Sequence, residues 1–221
     1  NLKKQTPSPI SAKVSNYDNM LAALARMDRF DLTRTPNFEP RRGPNVPSYV
    51  VAANAPLLFL PLRSGPQQQV MDWLAALDGV NRSDLRTKMT QKDLRQWKRK
   101  HPGHRSFTVL RHPVARLHAV FCTHLVNHGD GTYWDIKHAL RESYGVDLPE
   151  AEPGDAWSLA AHKAAFMQFI DFVAKNLKGQ TGIRADAGWA SQSAVLQGFA
   201  GFALPDHVFR EEQLAEGLAG I

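Results

Sequence analysis

The residues of this chain whose types and spacing best suit chemistry are two arginines at the start of a predicted helix. An apolar run at residues 107–110 ends at Arg111, and Pro113 then opens a stretch with helical spacing that contains Arg116. Proline fits the first helical turn, where its missing N–H would have had no partner. Free N–H groups at a helix N-terminus, together with two guanidiniums, form an anion site that suits a phosphate.

A second candidate anion site follows a predicted strand at residues 57–62. The loop and the helix start after this strand contain, in order, Arg63, Ser64, Gly65, Pro66, Gln67 and Gln68. In an α/β fold, a glycine between a buried strand and a helix lets backbone N–H groups surround a phosphate, and a nearby cation balances its charge. The loop therefore predicts a second set of phosphate contacts.

The elements that must position these residues are predicted from residue 48 onward, where strands and helices alternate. The predicted strands are 49–52, 57–62, 107–111, 182–186 and 207–210. The predicted helices are 67–77, 91–100, 113–127, 133–144, 156–177, 190–199 and 211–218. Apolar strands separated by helices indicate an α/β fold, with a three-layer, mostly parallel sheet that carries helices on both faces.

Residues 1–47 differ in composition from the rest of the chain. Prolines recur through this part, and the spacing of apolar residues at 17–27 predicts one helix. We therefore predict two parts: an N-terminal helix with a Pro-rich linker at residues 1–47, and an α/β domain at residues 48–221.

Composition narrows the class of protein. The chain has 221 residues, of which 43% are hydrophobic, which is enough to bury one full core. The sequence has neither an apolar run of membrane-spanning length nor a signal-peptide pattern, so we expect a cytoplasmic protein without a transmembrane segment. Its single cysteine, Cys122, excludes an internal disulfide and fits a reducing compartment. The net charge of +6 suits a polyanionic ligand.

The order of the two candidate sites resembles that of the sulfotransferases that use PAPS (3′-phosphoadenosine 5′-phosphosulfate). In that family a strand-end Arg and a Ser on the next helix hold the 3′-phosphate. Arg111 matches the arginine, whereas Ala119 stands at the serine position. The family's 5′-phosphosulfate loop commonly reads Lys-Thr-Gly-Gly-Thr-Ser, and here Arg63 stands for the Lys, while Pro66 replaces the second Gly and removes one backbone donor.

A third segment extends the resemblance over essentially the whole chain. Residues 186–196 and 205–214 resemble the late part of the sulfotransferase pattern. The chain as a whole resembles the C-terminal half of bacterial nodulation-type (NodH-like) sulfotransferases. The resemblance implies a P-loop/nucleotide-kinase-like fold, and it implies that residues 1–47 are the tail of a preceding sulfotransferase domain of the same parent chain.

The resemblance also implies roles for individual residues. PAPS would be the co-substrate, and the acceptor would be a hydroxyl of a carbohydrate or lipid. The 5′-phosphosulfate would contact Arg63, Ser64, Gly65, Gln67 and Gln68. Arg111 and Arg116 would contact the 3′-phosphate, and Trp189 would stack on adenine or line the acceptor cleft.

Sulfuryl transfer to an alcohol needs a base near the acceptor and cations at the leaving phosphate. Of nine histidines, His112 is the best placed, because it directly follows Arg111 at the end of a predicted strand. We therefore expect His112 and Arg63 to take part in catalysis. No metal is implied, because the sequence shows no grouped Cys, His and carboxylate spacing for zinc or calcium.

Two alternatives stay open at this stage. The substitutions at Ala119, Arg63 and Pro66 favour a sulfotransferase-like domain that has lost catalysis and keeps a structural role. The basic run at residues 95–105 favours a module that binds nucleic acid or another anion. The order of predicted elements matches no recognised nucleic-acid fold, so we expect no specific nucleic-acid partner, and we expect Leu94 and Trp97 to face inward from a solvated helix.

Overall fold

The protein is described from a computed structural model, which describes residues 49–221 apart from Lys88, Asp155 and residues 201–203. The predicted N-terminal part, residues 1–47, lies outside the described residues. The division into two parts, and the role of residues 1–47 as the tail of a preceding domain, therefore stay predictions.

A mixed sheet of four strands lies at the centre of the described fold, in the order β1-β2-β3-β4. The strands are β1 (Val50–Val51), β2 (Leu57–Phe59), β3 (Arg105–Leu110) and β4 (His207–Arg210). β1 pairs antiparallel with β2, whereas β2 with β3 and β3 with β4 pair in parallel. The predicted α/β class is confirmed, and β4 matches its predicted bounds to the residue.

The described part of the chain also contains seven α-helices and three shorter helical segments. The α-helices are α1 (Gln67–Asp78), α2 (Gln91–Lys100), α3 (Pro113–Val120), α4 (Trp134–Tyr144), α5 (Leu159–Leu177), α6 (Gln192–Ala200) and α7 (Leu214–Ala219). The shorter segments are 3₁₀ turns at Arg82–Asp84 and Glu211–Gln213 and a π-helix at Phe121–Val126. α2 has its predicted bounds, because Thr90 and Asp93 cap each other's backbone N–H groups at its start.

The helices pack on both sides of β2. Phe59 belongs to a buried cluster with Leu74 of α1, and its ring stacks on Phe107 of β3 at 5.2 Å between centroids. Leu58 belongs to a second cluster that includes Trp97 of α2. Successive side chains of a strand point to opposite faces, so this alternation places α1 and α2 on opposite faces of the sheet.

The predicted strand at residues 182–186 is wrong. The segment is irregular, and the carbonyl of Ile183 accepts a hydrogen bond from the side chain of Asn176 at 2.6 Å. β4 occupies the position beside β3. A side-chain amide therefore satisfies backbone polarity that a neighbouring strand would otherwise satisfy.

The long helix predicted at residues 113–127 divides into two kinds of helix. α3 ends at Val120 and continues as the π-helix, whose Phe121, Leu125 and Val126 are buried. Apolar spacing fixes which residues are buried but does not reveal the wider π turn, which is frequent at functional sites. Other boundaries moved by one to three residues; α5, for example, begins at Leu159 after its N-cap, Ser158.

Candidate functional site

The two predicted phosphate loops lie side by side at one edge of the sheet. β2 and β3 are adjacent and parallel, so their carboxyl ends meet there, and the chain continues from β2 into α1 and from β3 into α3. The N-cap residues of these helices, Pro66 and His112, make no side-chain cap hydrogen bond within the described residues. Two helix N-termini with their positive dipole ends therefore lie beside this edge.

The loop after β2 contains a tight turn. The N–H of Gly65 donates to the carbonyl of Leu62 at 3.0 Å, and Ser64 has a φ of 60°, in the left-handed region that side chains rarely adopt. A Cβ at position 65 would lie 3.0 Å from the Leu62 oxygen. The side-chain amide of Gln67 donates to the same oxygen at 3.0 Å, so it stabilises the turn.

Arg63 turns inward from this loop. Its side chain is only 8% exposed, and one guanidinium nitrogen lies 3.0 Å from the Tyr133 hydroxyl and 3.4 Å from a carboxylate oxygen of Asp186. Removing one partner of a buried ion pair strongly destabilises a fold, because the other charge then stays buried without a partner. The expected catalytic cation is thus engaged by Asp186 and Tyr133.

Arg116, which we predicted to contact the 3′-phosphate, donates hydrogen bonds to backbone carbonyls. It is 4% exposed, and it donates to the carbonyls of Arg63 at 2.9 Å, Ala190 at 2.8 Å and Ala187. Burial lowers the pKa of Arg116 to about 10, with Asp186 opposing the shift and Arg63 adding to it. The guanidinium is still charged at neutral pH. It ties the β2 loop to the segment before α6.

Arg111 connects the two loops and is more accessible. Its guanidinium donates to both carboxylate oxygens of Glu211, at 2.8 and 2.9 Å, and to the carbonyl of Ser64 at 3.0 Å. The side chains of Arg111 and Glu211 are 25% and 23% exposed. Gln192 holds the Arg111 backbone, accepting from its N–H at 3.0 Å and donating to its carbonyl at 2.8 Å.

The other predicted site residues lie in different surroundings. His112 is exposed at the start of α3, next to Arg111. Gln68 is exposed and accepts a hydrogen bond from Arg82, outside the loop. Trp189 is 4% exposed, belongs to a buried core cluster and donates to Asn176 at 2.8 Å.

A cavity of about 260 Å³ lies between α4 and the irregular segment that precedes α6. Its wall includes Asp135, Ile136, Arg184 and Asp186. Because Asp186 also pairs with Arg63, the cavity adjoins the β2 loop. Its volume is near the lower end for small-molecule sites.

Sequence reasoning missed the contact between Arg111 and Glu211, which are 100 residues apart. The register of the sheet would have indicated this contact. Leu110 pairs with Arg210 at the ends of the parallel strands β3 and β4, so Arg111 and Glu211 are the residues that directly follow this last pair. Opposite charges in that relation predict an ion pair, provided that the pairing of the two strands is known.

Comparisons with known proteins give no relative. No protein-family model matches the chain, and neither a curated protein nor a solved structure matches it.

Within the part of the chain that the structure describes, no helix has the length and apolar character needed to cross a bilayer. Leu94 and Trp97 are buried, which confirms that these two residues of α2 face inward.

Proposed function

We propose that the edge of the sheet after β2 and β3 binds the phosphates of PAPS, and that the domain transfers a sulfuryl group to a hydroxyl of a carbohydrate or lipid. One observation carries this proposal: two strand–loop–helix units lie side by side in parallel and are joined by the hydrogen bond from Arg111 to the Ser64 carbonyl. Helix N-termini at the carboxyl ends of parallel strands are favourable places for phosphate groups. The proposal includes a P-loop/nucleotide-kinase-like sulfotransferase fold.

The proposed phosphate contacts differ between the two loops. The turn at Ser64 and Gly65, with the N-terminus of α1, would hold the 5′-phosphosulfate. Arg111 would release Glu211 and bind the 3′-phosphate instead. A dianionic phosphate competes well with one carboxylate, and both side chains of this pair are partly exposed, so the exchange costs little.

The proposed reaction is a displacement at sulfur. The acceptor oxygen forms a bond to sulfur, the bond from sulfur to the bridging phosphate oxygen breaks, and PAP (3′-phosphoadenosine 5′-phosphate) leaves. His112, exposed at the start of α3, would take the proton of the acceptor hydroxyl. The positive end of α1, which would hold the 5′-phosphosulfate, would stabilise the charge that develops on the leaving phosphate.

A specific observation supports a second candidate function. Arg63, Arg111 and Arg116 all have internal partners: Asp186, Glu211 and a set of backbone carbonyls. Ala119 lacks the hydroxyl that the resemblance calls for. Together these features fit a sulfotransferase-like domain without catalysis, in which the arginines stabilise the loops.

One experiment separates the two functions. PAP is titrated into the protein by calorimetry, and PAPS consumption is then measured with sugar and lipid acceptors. Binding with turnover supports the enzyme, whereas binding without turnover supports the non-catalytic domain. Absence of binding at millimolar PAP contradicts the enzyme and leaves the arginines with a structural role alone. Binding of DNA that weakens steeply with salt, without binding of PAP, would support the basic anion-binding module instead.

A further inference from the structure

Three potential metal ligands lie together on the side of α3 that faces away from Arg116. His118 follows Arg116 by two residues, which is a rotation of about 200° around a helix. Cys122 lies one turn later in the π-helix, and His162 lies in the first turn of α5. This cluster, defined by His118, Cys122 and His162, is therefore separate from the candidate phosphate site.

The distances within the cluster are close to those of a metal centre. The Nε2 atom of His118 lies 2.9 Å from Nε2 of His162 and 3.5 Å from Sγ of Cys122. All three residues offer a ligand atom within 4.8 Å of the others. A tetrahedral zinc site with ordinary bond lengths has N···N edges of about 3.3 Å and N···S edges of about 3.6 Å. The edge between Nε2 of His118 and Sγ of Cys122 is already present, and the two Nε2 atoms need to separate by only about 0.4 Å.

We propose that His118, Cys122 and His162 bind a Zn²⁺ ion, with a water molecule as the fourth ligand. Imidazole and thiolate are the ligands that zinc prefers, and three protein ligands leave one position open. The ligands come from two helices, and His118 and Cys122 share one face at an i, i+4 spacing. That local spacing gave too little signal in the sequence, because His162 is distant along the chain.

Aromatic packing holds the two imidazoles in place. The ring of His118 contacts Phe166 edge-on at 4.8 Å between centroids, and His162 contacts Phe121 edge-on at 5.2 Å. Zinc binds cysteine as the thiolate, so binding releases the thiol proton of Cys122.

Trp157 provides a specific test of the proposal. Its indole N–H donates to Nδ1 of His162 at 3.2 Å. An indole can only donate, so this contact places the ring proton on Nε2. Coordination through Nε2 requires the other tautomer, and the indole must then turn away. We therefore expect Trp157→Phe to bind zinc more tightly than the wild-type protein.

The experiment uses untagged, metal-free protein. Because Cys122 is the only cysteine, a thiol reagent reports on this site alone. We expect Zn²⁺ to bind with one-to-one stoichiometry and to slow modification of Cys122 at least tenfold. Co²⁺, used as a spectroscopic substitute, should give a thiolate-to-metal charge-transfer band in the near ultraviolet that Cys122→Ser abolishes.

Variants and a control complete the test. His162→Ala should weaken zinc binding at least tenfold, while His138→Ala, which removes an exposed histidine of α4, should leave it unchanged. Unprotected Cys122 in zinc-saturated protein, or a Co²⁺ spectrum without a thiolate band, would overturn the proposal. Thiol protection is measured on the wild-type protein, so this test does not depend on whether a variant folds. Unchanged affinity in Trp157→Phe would contradict coordination through Nε2 of His162.

Discussion

Arg111 and Arg116 lie five residues apart around the start of α3, yet they differ in burial and in the partners of their guanidinium groups. Arg116 is buried and donates to backbone carbonyls of the β2 loop and of the segment before α6. Arg111 is partly exposed, and it donates to the Glu211 carboxylate and to one backbone carbonyl, that of Ser64. A side chain such as Glu211 can rotate away when a phosphate arrives, whereas backbone carbonyls cannot move without loss of the fold. Burial and type of partner, more than residue type, separate a structural arginine from one available to a ligand.

The largest effect is expected from Arg116→Ala. The substitution removes a buried cation and leaves the carbonyls of Arg63, Ala187 and Ala190 without their partner. We expect the free energy of unfolding to fall by about 3–5 kcal/mol. Urea denaturation measures this change, and Arg99→Ala, which removes an exposed arginine of α2, serves as the control. A loss below about 1 kcal/mol would mean that Arg116 is not a structural clamp.

Arg111→Ala tests the partly exposed arginine, which we propose binds the ligand. Here the fold should be nearly unchanged, because the ion pair with Glu211 is partly exposed. The affinity for PAP should fall by about 1.5–3 kcal/mol, since a charge-assisted bond to phosphate is lost. Calorimetric titration measures the affinity, and equal values for variant and wild type would remove Arg111 from the site.

Glu211→Gln tests whether Glu211 competes with phosphate for Arg111. The amide keeps the shape of the side chain but removes the charge that competes with phosphate for Arg111. We expect the variant to bind PAP more tightly by about 1 kcal/mol. Glu212→Gln, a change at the exposed neighbouring residue, is the matched control. Tighter binding in both variants would point to a general effect of charge and not to the pair of Arg111 and Glu211.

The sequence predicts the local elements of this molecule better than the contacts between distant residues. The two loops and their order were predictable, because strand, loop and helix signals are local. The partners of the arginines were not, since Arg111 reaches Glu211 and Arg63 reaches Asp186 across more than 90 residues. The strand predicted at residues 182–186 failed for a similar reason. Its apolar pattern fits a strand, but Asn176 and β4 decide where its backbone lies.

The smallest effect is expected from Ala119→Ser. The added hydroxyl would restore the donor that the resemblance places on the 3′-phosphate, on a residue that is half-buried in α3. We expect PAP binding to strengthen by about 0.5–1 kcal/mol, with little change in stability. Arg63→Lys combined with Ala119→Ser, assayed for PAPS consumption, extends the test to activity. Turnover in the double variant but not in the wild type would favour the non-catalytic domain.

The central claim is that the sheet edge after β2 and β3 recognises a nucleotide through its 3′-phosphate at Arg111. A calorimetric comparison of PAP with adenosine 5′-phosphate, which lacks that group, tests this claim most directly. We predict one-to-one binding of PAP, with an affinity at least about tenfold higher than that of adenosine 5′-phosphate, because only PAP reaches Arg111. Equal affinities for the two nucleotides, or no binding of PAP at millimolar concentration, would contradict the account.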